Sequence, residues 1–78
     1  MNSDATIDAR GLKCPLPVLK AEKQAAGLKP GQGFTLLATD PVARVDVPHF
    51  CRTNGLVYSL GEDNGVLSFK IAKPAETR

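Results

Sequence analysis

The sequence predicts a two-layer α/β sandwich of the form βαβαββ, with both helices on one face of a four-stranded mixed sheet. Three observations carry that reading. Two short alternating segments, Ala5–Ala9 and Phe34–Thr39, are each followed by a stretch with helical character. The chain then closes on two alternating segments joined by Asp63-Asn64-Gly65, a strong hairpin signal. Each strand–helix–strand unit favours a right-handed crossover, which puts both helices on the same side of the sheet.

The first strand, Ala5 to Ala9, is weak by periodicity and has Ile7 between polar residues. Gly11 breaks it and permits a sharp turn. A first helix follows from Pro15 to about Ala26. Val18, Ala21, Ala25 and Leu28 share one face, Leu19 borders it, and Gly27 suits its C-terminal cap. Lys29-Pro30-Gly31-Gln32-Gly33 is a turn that cannot continue the helix. Phe34 to Thr39 is the clearest strand, with Phe34, Leu36 and Ala38 on one face. It ends at Asp40-Pro41, and Asp40 can cap a helical turn there. Pro48 would interrupt a helix begun at Pro41. The second helix is therefore expected near Val47, with Asp46 as N-cap, Val47, Phe50 and Cys51 facing the core, and Asn54-Gly55 closing it. In the hairpin, Leu67, Phe69 and Ile71 form an inner row matched by Leu56, Tyr58 and Leu60. Pro74 onward reads as a polar, frayed tail.

Seventy-eight residues allow one domain with a thin core, spanning 1–78 with an ordered part from about 5 to 73. No apolar stretch approaches the roughly 20 residues of a membrane span. Met1-Asn2-Ser3-Asp4 lacks the pattern of a secretory signal, so the cytoplasm is the expected compartment. Two cysteines without an export signal do not suggest a disulfide, and one histidine with two distant cysteines does not make a zinc site. No cofactor or metal is implied, and a monomer is expected. The net charge of +2 is too small to argue for nucleic acid. Its distribution says more: Arg10, Lys13, Lys20, Lys23 and Lys29 face only Glu22 between residues 10 and 29. That makes a basic surface suited to an acidic partner or an anion, or simply a solvated helix face.

The most informative residue is Cys14, which stands immediately before Pro15-Leu16-Pro17. With Cys14 as N-cap, both prolines occupy helix positions whose N–H would have no intrahelical partner. Leu16 keeps its N–H and would point it at the sulfur. The helix dipole, Lys13 and Arg10 add positive potential. Together these favour thiolate over thiol, with a pKa expected in the range of roughly 3.5–7.5 rather than about 8.5. Such a thiolate is a nucleophile able to carry sulfur. The first two strands end on the same edge, where sites of open α/β sheets tend to lie, so Cys14 and Asp40 are expected on one rim.

Asp8-Ala9-Arg10-Gly11-Leu12-Lys13-Cys14-Pro15-Leu16-Pro17 resembles the D-x-x-G-x-x-C-P-x-P signature of the TusA (SirA/YhhP-like) sulfur-carrier family. Thr39-Asp40-Pro41 with Asp46-Val47-Pro48-His49-Phe50-Cys51 is similar to that family's second characteristic stretch. The resemblance covers about Thr6 to Lys73. It implies strand order 1-2-4-3 with the last strand antiparallel. It also implies that Cys14 accepts sulfane sulfur as a persulfide, acting as a sulfurtransferase in a protein relay. The implied donors are cysteine desulfurases or rhodanese-type proteins. The implied acceptors are DsrE/TusD-type relays toward tRNA thiolation, or proteins of sulfur oxidation or cofactor biosynthesis, with no direct contact to nucleic acid or membrane. Arg10, Gly11, Lys13, Pro15, Leu16, Pro17 and Asp40 are the supporting residues around Cys14.

Cys51, beside Phe50 in an amphipathic helix, reads first as core and second as a resolving thiol. Asp8 and Gly11 read as shaping the loop that presents Cys14. Two other functions compete. A thiol-disulfide redox protein using Cys14 and Cys51 lacks the close Cys-x-x-Cys pair such chemistry uses. Against an RNA-binding module, aromatics are few and a continuous basic stripe is absent.

Overall fold

The computed structural model describes residues 5–75. Its elements run β1 (Ala5–Ala9), α1 (Leu16–Ala25), β2 (Gly33–Ala38), α2 (Ala43–Thr53), β3 (Val57–Asp63) and β4 (Val66–Ala72). The sheet order is β1-β2-β4-β3. β1 and β2 are parallel, and β4 is antiparallel to both of its neighbours. This is the expected mixed α/β sheet. The end of the expected polar tail, residues 76–78, lies outside the described residues.

One row of side chains makes the core. Phe34, Leu36 and Ala38 of β2 are buried, and Leu67, Phe69 and Ile71 of β4 pair with them register by register. Ala21 of α1 and Leu28 in the turn after it pack into this layer, as do Val47, Phe50 and Cys51 of α2. Full burial of a Leu, Ile or Phe side chain contributes about 1.5–3 kcal/mol relative to exposure. The alternate residues, such as Thr35 and Lys70, fall on the uncovered face of the sheet.

The hairpin turns on Asn64 and Gly65, both at positive φ, with Asp63 paired to Val66. A two-residue turn of this kind needs positive φ at both positions, which Asn-Gly tolerates. Tyr58 and Leu60 sit opposite Ile71 and Phe69 as expected, yet both remain 37–38% exposed. β3 is the sheet edge, and every residue of it is exposed.

Three local expectations are corrected. α2 begins at Ala43, not near Val47, and Pro48 lies inside it. A proline in a helix removes one i→i−4 bond. Here that proline is buried with Val47, Phe50 and Cys51, so core packing offsets the missing bond. Asp46 consequently stands within the first turn rather than at its cap. In α1, Leu19 is about half exposed, as expected of a residue that borders the apolar face, and Pro17 is buried. α1 also ends at Ala25, with Ala26 as its C-cap in ordinary helical geometry and no left-handed cap at Gly27.

Candidate functional site

β1 and β2 end side by side, and the two loops that leave them are clamped together. Gly11, at φ +81°, turns the chain away from β1, a conformation that costs a glycine little. Its N–H donates to Thr39 Oγ1 at 2.9 Å. Three residues on, the Cys14 N–H donates to Asp40 Oδ2 at 2.8 Å. Successive residues after β2 thus hold the cysteine loop at two points. Cys14 and Asp40 share the rim, as the topology predicted.

Asp40 does more than cap. Its Oδ1 accepts the Val42 N–H at 3.0 Å, which shapes the turn into α2. Its backbone carbonyl accepts the Ala43 N–H at 3.0 Å. The N–H bonds from Cys14 and Val42 hold its carboxyl below the usual carboxylate range, and the charge of Lys13 adds to this.

The N-terminus of α1 differs from the expected cap. Pro15, not Cys14, is the N-cap, no side chain caps the helix, and the Cys14–Pro15 peptide is cis. The Leu16 N–H is bonded to the Lys13 carbonyl at 2.9 Å, so it does not serve the sulfur. Arg10 is likewise engaged elsewhere. Its backbone N–H and guanidinium both bond Asp8, with guanidinium distances of 2.9 Å. Arg10 thereby draws the Asp8 carboxyl down to about 2. Asp8 and Gly11 shape the loop as anticipated, but the Arg10 charge is spent on Asp8.

The protonation of Cys14 is also reversed from expectation. Its thiol is pushed up to about 11. Partial burial is the largest cause. A hydrogen bond to the Asp46 carboxylate and its charge come next, then the charge of Asp40. At neutral pH Cys14 is therefore a neutral thiol. Asp46 is the residue that sequence reasoning missed at this site. Starting α2 at Ala43 instead of Val47 places it in the first turn.

Exposed apolar side chains stand in the N-terminal halves of both helices. Leu16 and Leu19 of α1 and Val42 and Val45 near the start of α2 are all exposed. Leu12, Leu16 and Leu19 line a shallow hollow together with Lys20, Glu22 and Lys23. Cys51 lies elsewhere in character: it is fully buried in the core, and its thiol is pushed up to about 11 by burial. Neither cysteine is in a disulfide. No helix among the described residues is long and apolar enough to cross a membrane.

Comparison with known proteins places the chain in a family context. The family model described as sulfurtransferase TusA matches residues 5–73. A protein of Neisseria meningitidis serogroup A is 43% identical over 72 residues, spanning 91% of this chain and 96% of the relative. The sulfur carrier protein TusA of Pseudomonas putida is 38% identical over 74 residues, spanning 94% and 92%. The crystal structure of a SirA-like protein from Desulfitobacterium hafniense matches with a TM-score of 0.80 at 30% identity, over 90% of this chain and 97% of that one.

Proposed function

Because the chain belongs to the sulfurtransferase TusA family, we propose that Cys14 is the residue on which it carries sulfur. Cys14 accepts sulfane sulfur as a persulfide from a donor protein and hands it to an acceptor thiol. The observation that carries this reading is the exposure contrast between the two cysteines. Cys14 is part-exposed on the rim, whereas Cys51 is fully buried. Burial of Cys51 also weighs against a Cys14–Cys51 redox pair.

The transfer is a thiol exchange at sulfur: Cys14 Sγ attacks the outer sulfur of the donor persulfide, and the donor thiolate leaves. Such a carrier requires no enclosed pocket. It requires a cysteine on a surface that a partner can cover. Leu16, Leu19, Val42 and Val45 supply the apolar part of that surface, and Lys20 and Lys23 a basic border. The border suits a partner with an acidic rim. The donor is of cysteine desulfurase or rhodanese type, and the acceptor of DsrE/TusD type. We place the relay in the cytoplasm, where free thiols persist, with the carrier acting as a single-domain monomer.

The test is the intact mass of the chain after incubation with a cysteine desulfurase and L-cysteine. The expected result is a gain of one sulfur atom, reversed by reductant and absent in Cys14→Ser. A sulfur adduct that persists in Cys14→Ser would overturn the assignment.

A further inference from the structure

Residues 10–15 carry Cys14 from β1 to α1, and their hydrogen bonding is mostly local. The Leu12 N–H bonds the Ala9 carbonyl at 3.2 Å, and the Leu16 N–H bonds the Lys13 carbonyl at 2.9 Å, so the segment is two turns in succession. Arg10 is occupied with Asp8. Among the described residues, two hydrogen bonds tie this segment to another part of the fold. They run from the Gly11 N–H to Thr39 Oγ1 at 2.9 Å and from the Cys14 N–H to Asp40 Oδ2 at 2.8 Å. Leu12, between them, is partly buried against the core.

Gly11 is the pivot of the segment. It lies at φ +81°, and a Cβ there would meet nothing within 4 Å. No packing limits rotation at this point, so the bond to Thr39 has to. The Asp40 carboxylate has a second duty at the Val42 N–H. The Thr39 hydroxyl has none among the described residues, and Thr39 is exposed at the end of β2. Its side chain therefore bears on the cysteine loop and little else.

We propose that Thr39 is a positioning residue for sulfur transfer: its hydroxyl oxygen fixes Gly11 and, through the loop, the direction in which Cys14 Sγ meets a docked partner. The inference rests on the carrier reading of Cys14. In loading, the Cys14 thiol and a donor persulfide become a Cys14 persulfide and a donor thiol. The S–S bond of the donor breaks, and a bond from Cys14 Sγ to the transferred sulfur forms. The thiol proton passes to the departing donor sulfur, and there is no net oxidation. The attacking sulfur must stand about 3–3.5 Å from the sulfur it takes, in line with the bond that breaks. Two docked proteins have little freedom to follow a loop that turns at Gly11. A small persulfide in solution approaches from many directions and depends less on where the loop points. Without Thr39 Oγ1 the exposed Gly11 N–H turns to water, so the loss falls on orientation more than on stability.

The test compares the full-length chain with Thr39→Val, which keeps the shape and loses the acceptor, and Thr39→Ser, which keeps the hydroxyl. Transfer from a cysteine desulfurase charged with L-cysteine is followed by intact mass over a range of carrier concentrations. Thr39→Val is expected to slow transfer at saturating carrier by about three- to tenfold. The half-saturating concentration, and the rate of loading from glutathione persulfide, should each change by less than about twofold. Thr39→Ser is expected to stay close to wild type in all three. Hydrogen exchange at the Gly11 amide, read by NMR, should quicken in Thr39→Val and not in Thr39→Ser. An unchanged saturating rate in Thr39→Val overturns the inference, as does an effect confined to the half-saturating concentration or equal slowing in Thr39→Ser. A wild-type chain that takes up no sulfur on Cys14 overturns the carrier reading itself, and the inference with it. The wild-type mass alone separates that failure from the others.

Discussion

Asp40 Oδ2 holds the Cys14 N–H at 2.8 Å across 26 positions of sequence. The same carboxylate fixes the Val42 N–H at the entry to α2. One side chain therefore ties the cysteine loop to the second helix, and the removal of its charge should be felt at both ends.

Acid should loosen this tie. The folded pKa of Asp40 is depressed, so its contribution to stability is present above the unfolded carboxyl pKa, about 3.9. It is lost as pH falls from there through the folded value. Asp8, lowered to about 2 by Arg10, behaves in the same way over the range between about 3.8 and 2. The wild-type melting temperature should fall as pH drops from 5 toward 2. Asp40→Asn should melt lower at pH 6 and approach the wild type at the acid end. Parallel curves for the two proteins across this range would contradict the assignment.

Cys14 should be a slow nucleophile in the free carrier. With its thiol pushed up to about 11, the rate of alkylation should rise roughly tenfold per pH unit through neutrality and inflect well above the value of about 8.5 for a free cysteine. Iodoacetamide kinetics from pH 6 to 11 in Cys51→Ser would show this. An inflection below about 8.5 would mean that burial and the carboxylate charges do not govern the thiol.

The two cysteines should separate loading from folding. Cys14→Ser should lose sulfur uptake completely with little change in melting temperature. Cys51→Ser places a hydroxyl in the core at a fully buried position. It should lose about 1–3 kcal/mol of stability if that hydroxyl finds no partner. Uptake at 25 °C should survive. Urea melts and intact masses on the same samples would check both halves, and equal loss of uptake in both variants would sink the single-cysteine scheme.

The basic border should act mainly on encounter. Exposed charges farther apart than about 8–10 Å are largely screened near physiological salt. Transfer from a desulfurase donor should therefore slow as ionic strength rises, as should transfer in Lys20→Glu or Lys23→Glu, chiefly through the association rate. Stopped-flow transfer at several salt concentrations would test this. If salt and both reversals had no effect, docking would rest on the exposed apolar residues alone.

The parts of this site governed by nearby sequence were legible in advance. Gly11, the proline-flanked Cys14 and the alternation of Phe34, Leu36 and Ala38 each carry their structural meaning within a few residues. The shared rim of Cys14 and Asp40 followed from handedness and strand order. The protonation of Cys14 did not follow, because it depends on groups that only the tertiary fold brings together. Leu16 spends its N–H on Lys13, Arg10 turns back to Asp8, and partial burial with the charges of Asp46 and Asp40 acts on the thiol. The start of α2 was misplaced for a related reason. Pro48 argues locally against a continuous helix, yet the buried run of Val47, Pro48, Phe50 and Cys51 holds one against the sheet.

The clamp on the cysteine loop closes on main-chain donors, the N–H groups of Gly11 and Cys14. Main-chain groups are the same whatever side chain they carry. Position 13, which lies between the two anchors and is not itself held by its side chain in any hydrogen bond described, can therefore change its chemistry without moving the sulfur. Residues 39 and 40, whose side chains form the clamp, have no such freedom. The loop thus separates two tasks along a few residues: the anchors set where the sulfur stands, and an unconstrained neighbour can be rewritten to choose which protein comes to collect it.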